Sequence, residues 1–173
     1  HIAGTNGKGS VCAYLSSVLQ KAGISCGMFT SPHLVSMRER FAINGDIVSE
    51  ADFLDAFRTV MREVKRLATP YHPTFFELLF FMGMILFEKC GVEYVVLETG
   101  LGGRLDATNV VEEKRLCVLT SIGYDHMEYL GETLSQIARE KAGILRPGVP
   151  VVYPEGQEEA VRAIEEYAKE IGA

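Results

Sequence analysis

The sequence predicts an α/β domain with a mainly parallel sheet flanked by helices. Short continuous apolar runs, of the kind buried on both faces of a sheet, alternate with longer segments of helical periodicity. Glycine or turn residues punctuate the changes of period, and neither an internal repeat nor a low-complexity linker interrupts the alternation. Both features suit a chain of 173 residues forming about one domain.

Taken in order, Val11, Leu15, Val18, Leu19 and Ala22 recur at helical spacing with Gly23 as a stop, predicting a helix over residues 10–22. Residues 24–30 form a short apolar strand closed by Ser31-Pro32. Asn44-Gly45-Asp46 predicts a tight hairpin within residues 41–48. Ser49 opens a helix, with Asp52 standing in for the glutamate of a capping box. Phe53, Phe57, Val60, Met61, Val64 and Leu67 supply that helix's inner stripe. Thr74-x-x-Glu77 is a full capping box, and the helix behind it is apolar all round, hence buried. A strand over 94–98, a glycine-rich loop over 100–103, a strand over 116–122, a helix over 133–143, a strand over 149–153 and an amphipathic helix over 157–171 complete the chain.

Composition narrows the function classes. With 47% hydrophobic and 23% charged residues the chain fills a core, which excludes a disordered, collagen-like or disulfide-stapled product. The net charge of −6 gives no electrostatic case for nucleic acid or an anionic membrane as partner. Cys12, Cys26, Cys90 and Cys117 include no C-x-x-C pair, so four buried thiols in a reducing cytoplasm are expected rather than a zinc ribbon or redox motif. The longest apolar stretch, residues 78–87 with Gly83 inside, is too short to span a bilayer, and no secretory leader pattern opens the sequence. Only three residues precede the loop at Gly4, so the first strand of the sheet is expected to lie outside the sequence.

Four polar clusters each follow an expected strand: residues 4–10, 30–33, 98–100 and 123–126. In an open α/β sheet the carboxyl ends of the strands form the ligand crevice, so topology delivers all four to one edge. Gly4-Thr5-Asn6-Gly7-Lys8-Gly9-Ser10 opens a helix with three glycines and a lysine. Backbone N–H groups of such a loop wrap phosphate oxygens, the helix N-terminus adds positive potential and Lys8 a point charge, which makes the fold P-loop NTPase-like. The G-x-x-x-x-G-K-[ST] expression itself fails, since Ile2 and Gly9 stand where glycine and a hydroxyl are required.

Glu98 ends a buried strand, where a carboxylate holds nucleotide-bound magnesium or pairs with Arg104. The phosphate loop favours the metal. Ser31 offers an oxygen ligand or is a turn residue. His33 and His126 by residue type alone are structural, because magnesium prefers oxygen. Lys141 continues the inward stripe of Leu134, Ile137 and Ala138. Its amine either snorkels past the sheet edge or is desolvated, to meet phosphate or be modified.

Together the motifs HIAGTNGKGS, TSPHL, RERFAING, TFFE, ETGLGGRLDATN, SIGYDHMEYLG and REKAGI resemble the Mur ligase superfamily, and within it the folylpolyglutamate synthase/dihydrofolate synthase family. The resemblance implies that Thr5, Asn6, Gly7, Lys8, Gly9 and Ser10 bind ATP, with Lys8 on its phosphates. It implies that Ser31, Glu98 and His126 hold Mg2+, that Lys141 becomes carbamylated, and that Thr74, Leu105, Asp106 and Ala107 line a pteroate or folate pocket. The implied chemistry is ATP-dependent ligation of L-glutamate to dihydropteroate or tetrahydrofolates through an acyl phosphate, with Lys8, Lys141, His126 and Glu98 as the catalytic set. It further implies a cytoplasmic monomer. Residues 1–173 then form a partial ATP-binding domain of the Mur ligase central type, incomplete at both ends, with a C-terminal glutamate ligase domain outside the chain. An isolated nucleotide-binding module and another Mur-type amino-acid ligase are the rival readings.

Overall fold

The computed structural model describes residues 1–173. In chain order the elements are β1 (Ile2–Ala3), α1 (Lys8–Lys21), β2 (Cys26–Phe29), β3 (Phe41–Ile43), β4 (Asp46–Ile47), α2 (Glu50–Arg66), α3 (Phe75–Cys90), β5 (Tyr94–Leu97), β6 (Cys117–Leu119), α4 (Met127–Leu130), α5 (Leu134–Ala142), β7 (Val151–Val152) and α6 (Glu158–Ile171). Single 3-10 turns cover Met37–Arg40 and Ala107–Val110. The chain divides into two compact units, residues 1–12 with 97–173, and residues 13–96.

The first unit carries a parallel sheet in the order β1-β6-β7, with Ile2 opposite Val118 and Cys117 opposite Val151. Glu98 continues the parallel pattern on the other side of β1, bridging Ile2, while the Thr99 N–H donates to the Ile2 carbonyl at 2.9 Å. Thus Ile2 and Ala3, both buried, form a short strand of this sheet directly before the loop at Gly4. Helices α5 and α6 close the core through Leu134, Ala138, Ala142, Ala160, Ala163 and Ile164. Alanines on both partners let the helix backbones approach closely. Thr133 caps α5 in a reciprocal box with Gln136, which fixes where the helix starts and hence which residues face inward.

In the second unit the strand order is β4-β3-β2-β5. Here β2 with β3, and β3 with β4, are antiparallel, the second pair being the hairpin expected within residues 41–48. The return from Phe29 to Phe41 contains only a 3-10 turn, too short for the helical crossover that parallel neighbours need. The β3–β4 hairpin turns at Asn44 and Gly45, whose φ values of 49° and 85° are the left-handed pair that an Asn-Gly turn provides. Phe29, Phe41 and Phe80 are fully buried, and Phe29 meets Phe41 and Phe76 with ring centroids 5.6 and 5.7 Å apart. Gly27 is required by Phe87, since a Cβ there would lie 2.5 Å from the ring.

Some local expectations are narrowed. The inner stripe of α2 rests on Ala56 and Val60, while Phe57 and Leu67 are exposed. The Ser49 hydroxyl donates to the Asp52 carboxylate at 2.6 Å, so the shorter acid is held by the cap's side chain. Helix α3 buries its middle but exposes Phe75 at its start. Cys12, Cys26 and Cys117 are buried and Cys90 is exposed, correcting the expectation of four buried thiols. No helix is long and apolar enough to cross a membrane.

Candidate functional site

The loop after β1 is stitched to the segment after β6. Thr5 donates from its backbone N–H to the Ser121 carbonyl at 2.7 Å, and its hydroxyl donates to Gly123 O at 3.1 Å while accepting from Gly123 N–H at 3.0 Å. The Ser121 hydroxyl donates to the Asn6 carbonyl at 3.3 Å. Gly4, at φ 148°, lies so close to Thr120 that a Cβ would fall 1.8 Å from its hydroxyl oxygen. Helix α1 starts at Lys8, earlier than expected, and has no acidic residue in its first turn. Its positive end therefore remains available to an anion.

Glu98, 3% exposed, ends its strand beside this helix start, and a Cβ on Gly9 would lie 3.7 Å from a Glu98 carboxylate oxygen. Arg104 pairs instead with Glu140, its guanidinium 3.0 Å from the carboxylate. The alternative in which Glu98 serves as the partner of Arg104 is therefore set aside. Burial and then the Glu98 charge push the Cys12 thiol up to about 12.

Lys141 is also 3% exposed, and its ammonium donates to the Gly4 carbonyl at 3.0 Å. Lys8 donates to the same oxygen at 3.1 Å and to Thr5 O at 3.3 Å. The Lys141 amine therefore points into the loop rather than snorkelling to the sheet edge. Burial first, and the Lys8 charge second, hold its pKa down at about 8, with Asp125 acting in the opposite direction. Asp125 is a member of the site that the residue reading passed over, and its only sequence cue was its place next to His126.

His126 is the N-cap of α4 at φ 48°, a left-handed conformation uncommon outside glycine, with a half-exposed side chain 3.6 Å from Asp125. Asp106 spends both carboxylate oxygens on its own loop. One accepts from the N–H groups of Gly100 and Leu101, each at 2.9 Å, and the other from the N–H and hydroxyl of Thr108 at 2.9 and 2.5 Å. Leu105 is exposed, and Ala107 starts the 3-10 turn that Asp106 caps.

Thus the first unit gathers Thr5 to Ser10, Glu98, Asp125 and Lys141 around one loop, with His126 beside Asp125. Ser31 and Thr74 belong to the second unit. Ser31 precedes a cis proline and is half-buried. Thr74 caps α3, accepting from the Glu77 N–H at 3.2 Å, and that box holds the Glu77 carboxyl below its usual range. In the same unit Arg40 donates to His33 Nδ1 at 2.9 Å.

A profile of the Mur ligase middle domain matches residues 2–169. The chain belongs to the Mur ligase family. This Mur ligase chain is 45% identical over 172 residues to the dihydrofolate synthase/folylpolyglutamate synthase of Bacillus subtilis, covering 98% of this chain and 40% of that protein. It is 44% identical to a folylpolyglutamate synthase of Arabidopsis thaliana, over 98% of this chain and 30% of that one. Among solved structures, E. coli FolC in complex with DHPP and ADP is similar at a TM-score of 0.90 and 40% identity, over 99% of this chain and 40% of that chain. The Yersinia pestis bifunctional enzyme complexed with AMPPNP and Mn ion gives a TM-score of 0.87 and 40% identity, over 99% and 40%. The Mur ligase chain thus spans 30% and 40% of the length of these two curated relatives.

Proposed function

We propose that the chain is the ATP-handling domain of a ligase that joins L-glutamate to dihydropteroate or to folates through an acyl phosphate. The observation that carries this reading is the Lys8 ammonium held at Gly4, at the mouth of a helix start free of acidic residues, with a buried carboxylate beside it. An uncharged or basic ligand gains nothing from that arrangement; a polyphosphate does. The similar proteins named for folate ligases, and those solved with ADP or AMPPNP, support the same reading. The glutamate site then lies on a further domain outside these residues. Nothing in the charge of −6 argues for a nucleic-acid partner, and the working state is read as a cytoplasmic monomer.

The residues also fit a divalent ion carried in on nucleotide. No three His, Cys, Asp or Glu side chains gather into a cage for a resident ion. A magnesium bound mainly by phosphates and water needs only one or two protein oxygens, and Glu98 with Ser31 would provide them, His126 adding an imidazole. Such an ion supplies positive charge that offsets repulsion between the carboxylate substrate and the γ-phosphate. Within this chain, Lys8 faces the phosphates, the α1 N–H groups wrap them, and the loop clamps through Thr5 and Ser121 hold that cradle in shape.

Lys141 is read as the site of carbamylation. With a pKa of about 8 its amine is neutral in an appreciable fraction at mildly alkaline pH. Only the neutral amine bonds to carbon dioxide, releasing a proton as the carbamate forms. Thr74, Leu105, Asp106 and Ala107 are read as lining the pteroate or folate pocket, Asp106 through the loop shape it imposes. The deciding experiment measures glutamate-dependent phosphate release by the longer enzyme carrying these residues, first with dihydropteroate and then with tetrahydrofolate. Nucleotide binding without release on either substrate would leave a nucleotide-binding module in place of the ligase.

A further inference from the structure

Downstream of the phosphate loop lies a polar network that the chemistry above does not use, centred on Asn109. Its carboxamide nitrogen donates to the carbonyls of Arg104 and Gly143, both at 3.0 Å. Its carboxamide oxygen accepts from Lys114 at 2.7 Å and from Arg146 at 3.0 Å. Two donors and two acceptor sites are the whole hydrogen-bonding capacity of an asparagine side chain, and all four are engaged. The two cations reach further: Lys114 donates to Ile144 O at 2.7 Å, and Arg146 to Leu145 O, Gly143 O and Asn109 O at 2.9, 3.3 and 2.8 Å. Burial, then the Arg146 charge, holds Lys114 down at about 8.

Four of these bonds end on the carbonyls of residues 143–145, directly after Lys141. The same segment is pressed closely against the glycine-rich loop. A Cβ on Gly103 would lie 2.6 Å from the Lys141 carbonyl oxygen, and a Cβ on Gly143 would lie 2.6 Å from the Arg104 Cα. The Arg104 N–H donates to Glu140 O at 2.9 Å. The last turn of α5 is thereby fixed to the loop that follows Glu98 by backbone contact, with Asn109 closing the junction from below.

We propose that Asn109, with Lys114 and Arg146, is a positioning unit for Lys141: it locks the C-terminal turn of α5 to residues 103–109 and so holds the Lys141 amine against Gly4. Asn109 touches neither nucleotide nor acceptor in this scheme. An asparagine suits the post because its carboxamide, on a short side chain, combines two donors for carbonyls with an acceptor for two cations. This inference rests on the site reading given above, but its test does not require ligase activity.

Lysine acylation by a succinimidyl ester, followed by peptide mass spectrometry, reads the exposure of the Lys141 amine directly, with Lys21 as the internal reference. Asn109→Asp keeps shape and keeps Lys114 and Arg146 satisfied, but faces the Arg104 and Gly143 carbonyls with an acceptor. The Lys141-to-Lys21 labelling ratio is expected to rise about tenfold, as two hydrogen bonds holding the turn are lost and it opens more often. Ala160→Gly, a destabilising change in α6 of the same unit, is the control for general loosening and is expected to leave the ratio within about twofold. An unchanged ratio in Asn109→Asp, or an equal rise in Ala160→Gly, overturns the proposal. In the longer enzyme, Asn109→Asp is expected to lower kcat with little change in KM for ATP, since the phosphate loop is intact. Failure of the ligase reading would instead show as no turnover in the unsubstituted enzyme, with the labelling result unaffected.

Discussion

Lys8 and Lys141 donate to one acceptor, the carbonyl oxygen of Gly4, from 3.1 and 3.0 Å. Two ammonium groups so placed repel one another, and the buried one yields. Burial first, and this repulsion second, hold Lys141 at about 8 in the folded chain against 10.5 as its ordinary value. Between those two values the unfolded chain binds more protons than the folded one, so stability rises with pH across that window. Below it the folded state carries the full cost, with a ceiling of about 3 kcal/mol from a shift of this size. Lys141→Met removes that cost. Guanidinium unfolding of both proteins at pH 7 and 9.5 is expected to show the methionine variant gaining on the parent at pH 7 and keeping only part of that gain at pH 9.5. Equal differences at the two pH values would show that the amine is not coupled to folding.

A polyphosphate offers Lys8 a better partner than a carbonyl. Lys8→Ala is expected to weaken ADP binding by at least about tenfold, the strength of one charge-assisted hydrogen bond. The bonds of Thr5, Ser121 and Gly123 that hold the loop remain in this variant, so melting should change little. Calorimetry with ADP checks the first expectation and a thermal melt the second. Unaltered affinity would remove the loop from the nucleotide site.

Gly103 and Gly143 make the backbone contact between loop and helix possible. Alanine at either would place a methyl within 2.6 Å of a neighbouring backbone atom, which cannot swing aside as a side chain does. Each substitution is expected to cost about 2–4 kcal/mol, in the range of overpacking combined with backbone displacement. Gly156→Ala, where a Cβ meets nothing within 4 Å, is the contrasting case and should stay within about 1 kcal/mol of the parent. Denaturant midpoints for the three variants test the contrast.

The parts of this architecture that sequence reveals are those set by local chemistry. The Thr74–Glu77 box, the Asn44-Gly45 turn and the inward place of Lys141 depend on neighbours within a turn or two. What stays hidden depends on partners far along the chain. The antiparallel pairing of Phe29 with Phe41 is decided by how little chain lies between them and by what the connecting turn permits. The Asn109 junction joins residues 34 and 37 positions apart, and no periodicity encodes such a meeting. Asp106 shows a third limit. Its motif marks it as important, but only the geometry shows both its oxygens absorbed by the loop.

Glu98 gives the sharpest test of the site, because the sign of its effect should reverse with metal. The side chain is 3% exposed at a strand end, and glutamine preserves its shape while removing its charge. With magnesium present, the carboxylate attracts the ion that nucleotide carries, so Glu98→Gln is expected to weaken Mg-ADP binding about tenfold or more. With magnesium chelated, the same carboxylate stands beside the anion cradle and repels phosphate, so the glutamine variant is expected to bind metal-free ADP at least as tightly as the parent. A purely structural acid would change affinity in the same direction under both conditions, through a damaged loop. Paired titrations with magnesium and with chelator, on parent and variant, separate these cases. Weakening of equal size in both would deny Glu98 any role as the ion's partner.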